Sequence, residues 1–259
     1  MFYENGFFEE TIDKGYFRLV YIMKLSVIIP TYQEEQSIGN LVEHLLSCDT
    51  QHQIEVLVCD GGSSDKTMAH AEEAGAIAFI SPRKGRACQL NYGATKARGK
   101  LFYFLHADAF PPTSFVKDII SAIELGYDFG NFRQEIKSKN RLVRLNSYFS
   151  RLNGRVTSGG DQSLFITRDL FFKLKGYRED FLFMEDYDLF GRARMLGENI
   201  KIPKSLKIID RKYTHNSYLR VNLSNLTILT LYQLGVHPNK LYPLYKSWIK
   251  GPRYKGLAE

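Results

Sequence analysis

The sequence predicts an α/β fold with a mostly parallel central sheet and C-terminal helices, and two observations carry that prediction. First, four short apolar runs alternate with three stretches of helical periodicity between residues 25 and 105. Strand and helix alternating at that spacing build a parallel sheet with right-handed crossovers. Second, the run LFYFL at residues 101–105 is continuously apolar, as a strand buried on both faces must be. It stops at His106-Ala107-Asp108, ahead of the breaker pair Pro111-Pro112. A core strand thus delivers a carboxylate to its carboxyl end, where open α/β sheets hold their ligands.

The elements follow in order. Residues 25–29, LSVII, form a strand closed by Pro30, and the loop TYQEE leads into the helical stripe Ile38, Leu41, Val42, Leu45, Leu46. Residues 54–59, IEVLVC, form a second strand ending in Asp60. The loop GGSSD offers Ser64 or Asp65 as N-cap of a helix that runs through Ala74 and stops at Gly75. A third strand at 76–80 precedes SPRKGR, a helix over 87–98 is stopped by Gly99, and the strand 101–105 comes next. Beyond it, 115–125 reads as a helix, 129–136 as a strand and 142–152 as a basic helix or helical lid. Residues 163–166 form a short strand before a helix that begins near Arg168 and ends at Gly176. Residues 186–196 carry a helical stripe of Leu189, Phe190, Ala193 and Leu196. Residues 200–202 and 206–209 read as two strands. A leucine-rich helix covers 219–234, and after Gly235 another passes through Tyr245 and Trp248.

Composition bounds the class. With 259 residues, 44% hydrophobic and 24% charged, the chain has ordinary globular usage. No run reaches the ~18 uninterrupted apolar residues of a membrane-spanning helix. The net charge of +7 favours anionic partners without choosing among them. Cys48, Cys59 and Cys88 have neither metal spacing nor a disulfide framework and read as reduced core residues of a cytosolic protein. Residues 1–22 lack the basic start and continuous apolar stretch of a signal peptide, and Met23-Lys24 is an alternative start. The expected organisation is an extension at 1–23, one compact domain at 24–215, and a helical appendix at 216–259 packed on it.

Three of the first four strands end in polar constellations: Pro30-Thr31-Tyr32-Gln33-Glu34, Asp60 through Asp65, and His106-Ala107-Asp108. In a parallel sheet all three emerge on one edge. Carboxylates there can accept hydrogen bonds from a base and ribose, glycines let backbone approach closely, and a metal can bridge a diphosphate to Asp108. Lys84-Gly85-Arg86 adds cations. No Gly-x-Gly-x-x-Gly follows the first strand, and no Gly-x-x-x-x-Gly-Lys-Ser/Thr occurs, which argues against a dinucleotide-binding dehydrogenase and a P-loop nucleotidase.

At SVIIPTYQEE, VLVCDGGSSDKT, RKGRACQLNYGATKARG, FLHAD and MEDYDLFGRAR the chain resembles the successive motifs of family 2 glycosyltransferases. The likeness is strongest to the bacterial radical-SAM/selenodomain-associated subgroup, which has a similar HAD triplet, a GDQ motif and a C-terminal leucine-rich helix. It covers about residues 25–245. The resemblance implies a GT-A type, Rossmann-like three-layer sandwich. It implies that Pro30, Thr31 and Glu34 hold the nucleoside, that Asp60 contacts the base, and that Gly85, Arg86 and Asn91 lie beside ribose and phosphates. His106-Ala107-Asp108 stands in the place of the family's Asp-x-Asp. Asp108 is then the ligand of a divalent cation, Mn or Mg, while His106 either takes over the ribose contact or is a neutral hydrogen-bonding strand end. Asp186 matches the catalytic base, with Glu185 as the alternative; both acids would also suit a helix N-terminus by its dipole alone. Gly160, Asp161 and Gln162 would line the acceptor or donor-sugar pocket, Asp161 serving equally well as a structural acceptor. His215 would be a third metal or diphosphate contact, or an exposed loop histidine.

The implied activity is metal-dependent, inverting transfer of a sugar from a nucleotide-diphosphate donor to a hydroxyl of a lipid-linked or soluble acceptor. A carboxylate is needed because a hydroxyl becomes nucleophilic only as its proton is taken. Two rivals stand beside it: a nucleotidyltransferase, whose Gly-rich Arg-Lys signature PTYQEE lacks, and a nucleotide-sugar-binding protein without turnover. No nucleic-acid partner is expected. The expected location is the cytoplasm, either free or at the inner face of the membrane, with helix 219–234 resting on lipid beside Lys240, Lys246, Lys250, Arg253 and Lys255 or packed as intramolecular core.

Overall fold

A computed structural model describes residues 25–51, 53–137, 163–209 and 216–249. β1 (Leu25–Thr31), β2 (Ile54–Asp60), β3 (Ile77–Ile80) and β4 (Leu101–Phe104) pair in parallel. β7 (Leu164–Thr167) runs against β4 and against β6 (Phe129–Lys137). β6 in turn pairs in parallel with β8 (Asn199–Ile209), and the two-residue β5 (Ala109–Phe110) closes the far edge antiparallel to β8. The sheet order is β3-β2-β1-β4-β7-β6-β8-β5, so only β7 and β5 oppose the common direction.

Helices cover both faces because strand side chains alternate. Leu25, Val27 and Ile29 of β1 and Leu101 and Tyr103 of β4 meet α1 (Ile38–Ser47), α2 (Thr67–Glu73) and α4 (Phe115–Glu124) on one face. Ile28, Phe102 and Phe104 meet α3 (Arg86–Lys96), α5 (Arg168–Lys173) and α6 (Glu185–Ala193) on the other. Phe102, Phe104, Phe171 and Tyr177 pack ring against ring there, with centroids 5.0 to 6.0 Å apart. The result is the three-layer α/β sandwich expected. α7 (Tyr218–Gln233) and α8 (Pro238–Trp248) pack on each other and on Phe183 and Met184. Among the described residues no helix is long and apolar enough to cross a membrane.

Several boundaries differ from the sequence reading, each for a physical reason. β1 does not stop at Ile29 but continues through Pro30 to Thr31. Proline lacks an N–H, and Pro30 shares the parity of Ile28, whose carbonyl faces Leu105 on the β4 side. β4 no longer pairs at that level, so no ladder bond is lost. The two strands read at 200–202 and 206–209 are one strand, β8. Its register passes from Phe132↔Ile202 to Arg133↔Ser205, so Pro203 and Lys204 sit in a bulge. α2 starts at Thr67 rather than directly after Ser64 or Asp65, although the Asp65 carboxylate still accepts the Thr67 N–H at 3.0 Å. α6 ends at Ala193, leaving Leu196 exposed. Only Cys59 is a core cysteine; Cys48 and Cys88 are half-buried, and all three are free thiols. The basic segment 142–152 and the extension 1–23 lie outside the described residues.

Candidate active site

The loops after β1 and β2 interlock into one platform at the carboxyl edge of the sheet. One Asp60 oxygen accepts the N–H groups of Gly62 and Ser63 at 2.8 and 2.6 Å, and the other accepts the hydroxyls of Thr31 and Ser63 at 2.9 and 2.7 Å. Asp60, expected to contact a base, thus also ties its own turn to the end of β1. Gln89, from the inner face of α3, donates to the carbonyls of Thr31 at 2.7 Å and Cys59 at 2.8 Å, sewing the two strand ends together. Glu34 accepts the Ser37 hydroxyl at 2.7 Å, and its N–H donates to the Thr67 hydroxyl at 2.8 Å.

Arg86 is the hub of the site. Gly85, at φ 117°, is the N-cap of α3, and Arg86 is the first helical residue. Its Nε pairs with Glu185, its Nη2 pairs with Asp186, and its Nη1 lies 3.2 Å from His106 Nε2. Residues from two distant motifs thus share the guanidinium of a third. Glu185 is 2% exposed and its Oε2 is buried with no hydrogen-bond partner among the described residues, where Arg86 compensates its charge. Asp108, two residues beyond His106, is also buried, at 4% exposure. Among the described residues the Tyr177 hydroxyl has no hydrogen-bond partner of good geometry, and burial, reinforced by the Asp186 charge, pushes its phenol pKa well above the usual value.

The acids reach this point because the chain before them is pinned. Met184 is left-handed at φ 66°, a strained conformation for a side-chain-bearing residue, and α6 then opens with Glu185, Asp186 and Asp188 in its first turn, where the helix dipole favours them. Asn91 clamps Tyr177 from both sides, accepting its N–H at 2.9 Å and donating to its carbonyl at 2.9 Å, with a further bond to Glu179 at 3.0 Å. Asn91, expected beside ribose and phosphates, thus also holds the Tyr177 loop in place. At Gly176, φ is +66° and a Cβ would sit 2.6 Å from Asn91 Oδ1, so the close approach requires glycine. Arg192 donates to the carbonyls of Leu174 and Gly176 at 2.6 and 2.8 Å. From α8, Asn239 accepts the Leu182 N–H at 3.0 Å and donates to the Asp180 carbonyl at 2.8 Å.

The structure thus brings Arg86, His106, Glu185 and Asp186 together and places Pro30, Thr31, Glu34 and Asp60 on the interlocked platform. Gly160, Asp161, Gln162 and His215 lie outside the described residues. Sequence reasoning missed Gln89, Tyr177, Arg192 and Asn239. A signal existed for Gln89, which lies three residues after Arg86 on the apolar face of α3 with Leu90 and Gly93. Among the described residues no group of three or more His, Cys, Asp or Glu side chains could hold a metal. Asp108 is one buried carboxylate, a donor set that fits a cation sharing its coordination with substrate phosphates and not one caged by protein alone.

Residues 26–183 match the model of Glycosyl transferase family 2. The undecaprenyl-phosphate 4-deoxy-4-formamido-L-arabinose transferase of Proteus mirabilis (strain HI4320) is 30% identical over 148 residues, covering 52% of this chain and 45% of that protein. The dolichol-phosphate mannosyltransferase of Pyrococcus furiosus is 30% identical over 111 residues, 41% of this chain and 32% of that protein. The match therefore spans less than half the length of these relatives. Among solved structures, the mannosyltransferase PcManGT of Pyrobaculum calidifontis, in complex with GDP-Man and Mn2+, superposes with a TM-score of 0.63 at 18% identity, covering 86% of this chain and 68% of that one. S. aureus TarS 1–349 with UDP-GlcNAc gives 0.59 at 19% identity, covering 73% and 59%. At these identities the superpositions establish a shared fold.

Proposed function

We propose the following function for this chain, which belongs to glycosyl transferase family 2: it moves a sugar, with inversion, from a nucleotide-diphosphate donor to an acceptor hydroxyl. The observation that carries this reading is the Arg86 guanidinium, which joins His106 to the carboxylate pair Glu185–Asp186. Pro30, Thr31 and Glu34 would receive the nucleoside on a platform that Asp60 and Gln89 hold rigid. The diphosphate would lie at the N-terminus of α3, where Gly85, the helix dipole and Arg86 favour an anion. Asp108 would hold Mn or Mg together with the diphosphate, and the cation would supply charge stabilisation for the departing nucleotide. Asp186 would take the acceptor proton as the oxygen bonds the anomeric carbon and the sugar–phosphate bond breaks; one direct displacement inverts the centre. Gly160, Asp161, Gln162 and His215 keep their proposed places around acceptor and diphosphate.

The HAD and GDQ triplets support the radical-SAM/selenodomain-associated subgroup. We read residues 24–215 as the catalytic unit and 216–259 as an appendix packed on it, working in the cytoplasm or at the inner face of the membrane. The names of the relatives favour one second reading, a polyprenyl-phosphate acceptor. A phosphate oxygen is already anionic at pH 7, so such transfer would survive Asp186→Asn whereas transfer to a hydroxyl would not. The donor class is tested by thermal shift with UDP-, GDP-, CDP- and dTDP-sugars, with and without manganese. A melting point raised by one nucleotide series, and more so with metal, is expected. No rise with any of them contradicts the proposal.

A further inference from the structure

The outer face of α7 has no role in the site described above. Leu219, Leu223 and Leu226, with Leu234 at the C-cap, recur at spacings that put them on one side of the helix, and they are 68, 60, 58 and 75% exposed. The opposite side, Val221, Ile228 and Leu229, is buried, and Val221 and Ile228 share a cluster with Phe183 and Met184. An apolar stripe of this length left in water marks an interaction surface. Its two helices are cationic: α7 carries Arg220, α8 carries Lys240 and Lys246, and neither helix carries a carboxylate side chain. Arg220, Lys240 and Lys246 are exposed, as is Trp248 of α8.

We infer that this face seats α7 lengthwise on an anionic lipid bilayer, with the leucines in the headgroup boundary and the lysines and arginines against lipid phosphates. Charge selects this occupant. A second copy would bring two cationic segments together, whereas an anionic bilayer complements both the stripe and its surroundings. The cluster that α7 and α8 share includes Phe183 and Met184, which run directly into Glu185 and Asp186. Docking therefore turns the side of the molecule that carries this cluster toward the lipid surface. This deepens the functional reading by naming a lipid-linked acceptor, and it rests on that reading for its catalytic consequence; the binding itself does not.

The test is co-sedimentation of the full chain with vesicles of phosphatidylcholine alone and of phosphatidylcholine mixed with phosphatidylglycerol. Binding to the mixed vesicles and little to the neutral ones is expected, with Leu223→Glu/Leu226→Glu weakening it about tenfold at an unchanged melting temperature and unchanged donor hydrolysis in solution. Three results would overturn the inference: no binding to anionic vesicles, binding indifferent to the double substitution, or a dimer in sedimentation velocity that the double substitution dissociates. If the chain binds vesicles as stated but neither form consumes any nucleotide-sugar, the docking stands and the glycosyl-transfer reading falls.

Discussion

Arg86 shows what a single residue is asked to do in this site. Its guanidinium faces Glu185, Asp186 and His106 through three different nitrogens, a task a lysine ammonium cannot reproduce. Arg86→Ala leaves a carboxylate that is almost fully buried without its counter-charge, and we expect a loss of about 3 kcal/mol in urea unfolding. Arg86→Lys should recover only part of it; full recovery would mean that charge alone is needed there. The motifs in the sequence were enough to single out Arg86, His106, Glu185 and Asp186, because chemistry restricts which side chains can stand in them. The tasks of Asp60 and Asn91 were not legible. Both have residue types suited to ligands, and the structural bonds they also make go to backbone of Gly62, Ser63 and Tyr177, groups that every residue carries and no motif marks.

Elements behave similarly. β1 to β4 and the helices between them were readable because each is a local pattern of apolar spacing with its own stop signal. β5 was not, since two residues become a strand only when β8 lies beside them, and neither was the continuity of β8, which depends on a bulge against β6. The loop before α6 depends on α8 in the same non-local way, through Asn239 and through Phe183, which stacks on Tyr245 and tilts against Tyr242. Asn239→Ala should lower kcat about tenfold while leaving donor affinity in calorimetry unchanged, because the nucleotide platform belongs to β1, β2 and α3. A fall in donor affinity with kcat preserved would show that α8 serves the platform instead.

For the whole molecule, the sheet gathers residues far apart in sequence on one edge, and its core sets a limit on alkaline stability. Burial pushes the Cys59 thiol up to about 12 and raises the phenols of Tyr103 and Tyr177. For each, the unfolded chain ionises first, from about pH 9 for the thiol and about pH 10 for the phenols. Stability should therefore be flat with respect to these groups below pH 9 and fall as pH climbs toward 12, which a series of melting temperatures from pH 8 to 11 would check. A melting temperature that holds through pH 11 would show that these groups titrate normally in the fold. The direction of the parallel strands, and hence the shared edge, was legible in the sequence; which side chains meet across it was not, because Arg86 and Asp186 are joined only by packing of α3 and α6 on one face of the sheet. The most direct test of the convergence is the slow hydrolysis of the nucleotide-sugar donor, with water as acceptor, by wild type and Asp186→Asn at matched donor saturation. A fall of about a hundredfold or more with donor affinity retained is the expected result, and equal hydrolysis at equal affinity would contradict the account.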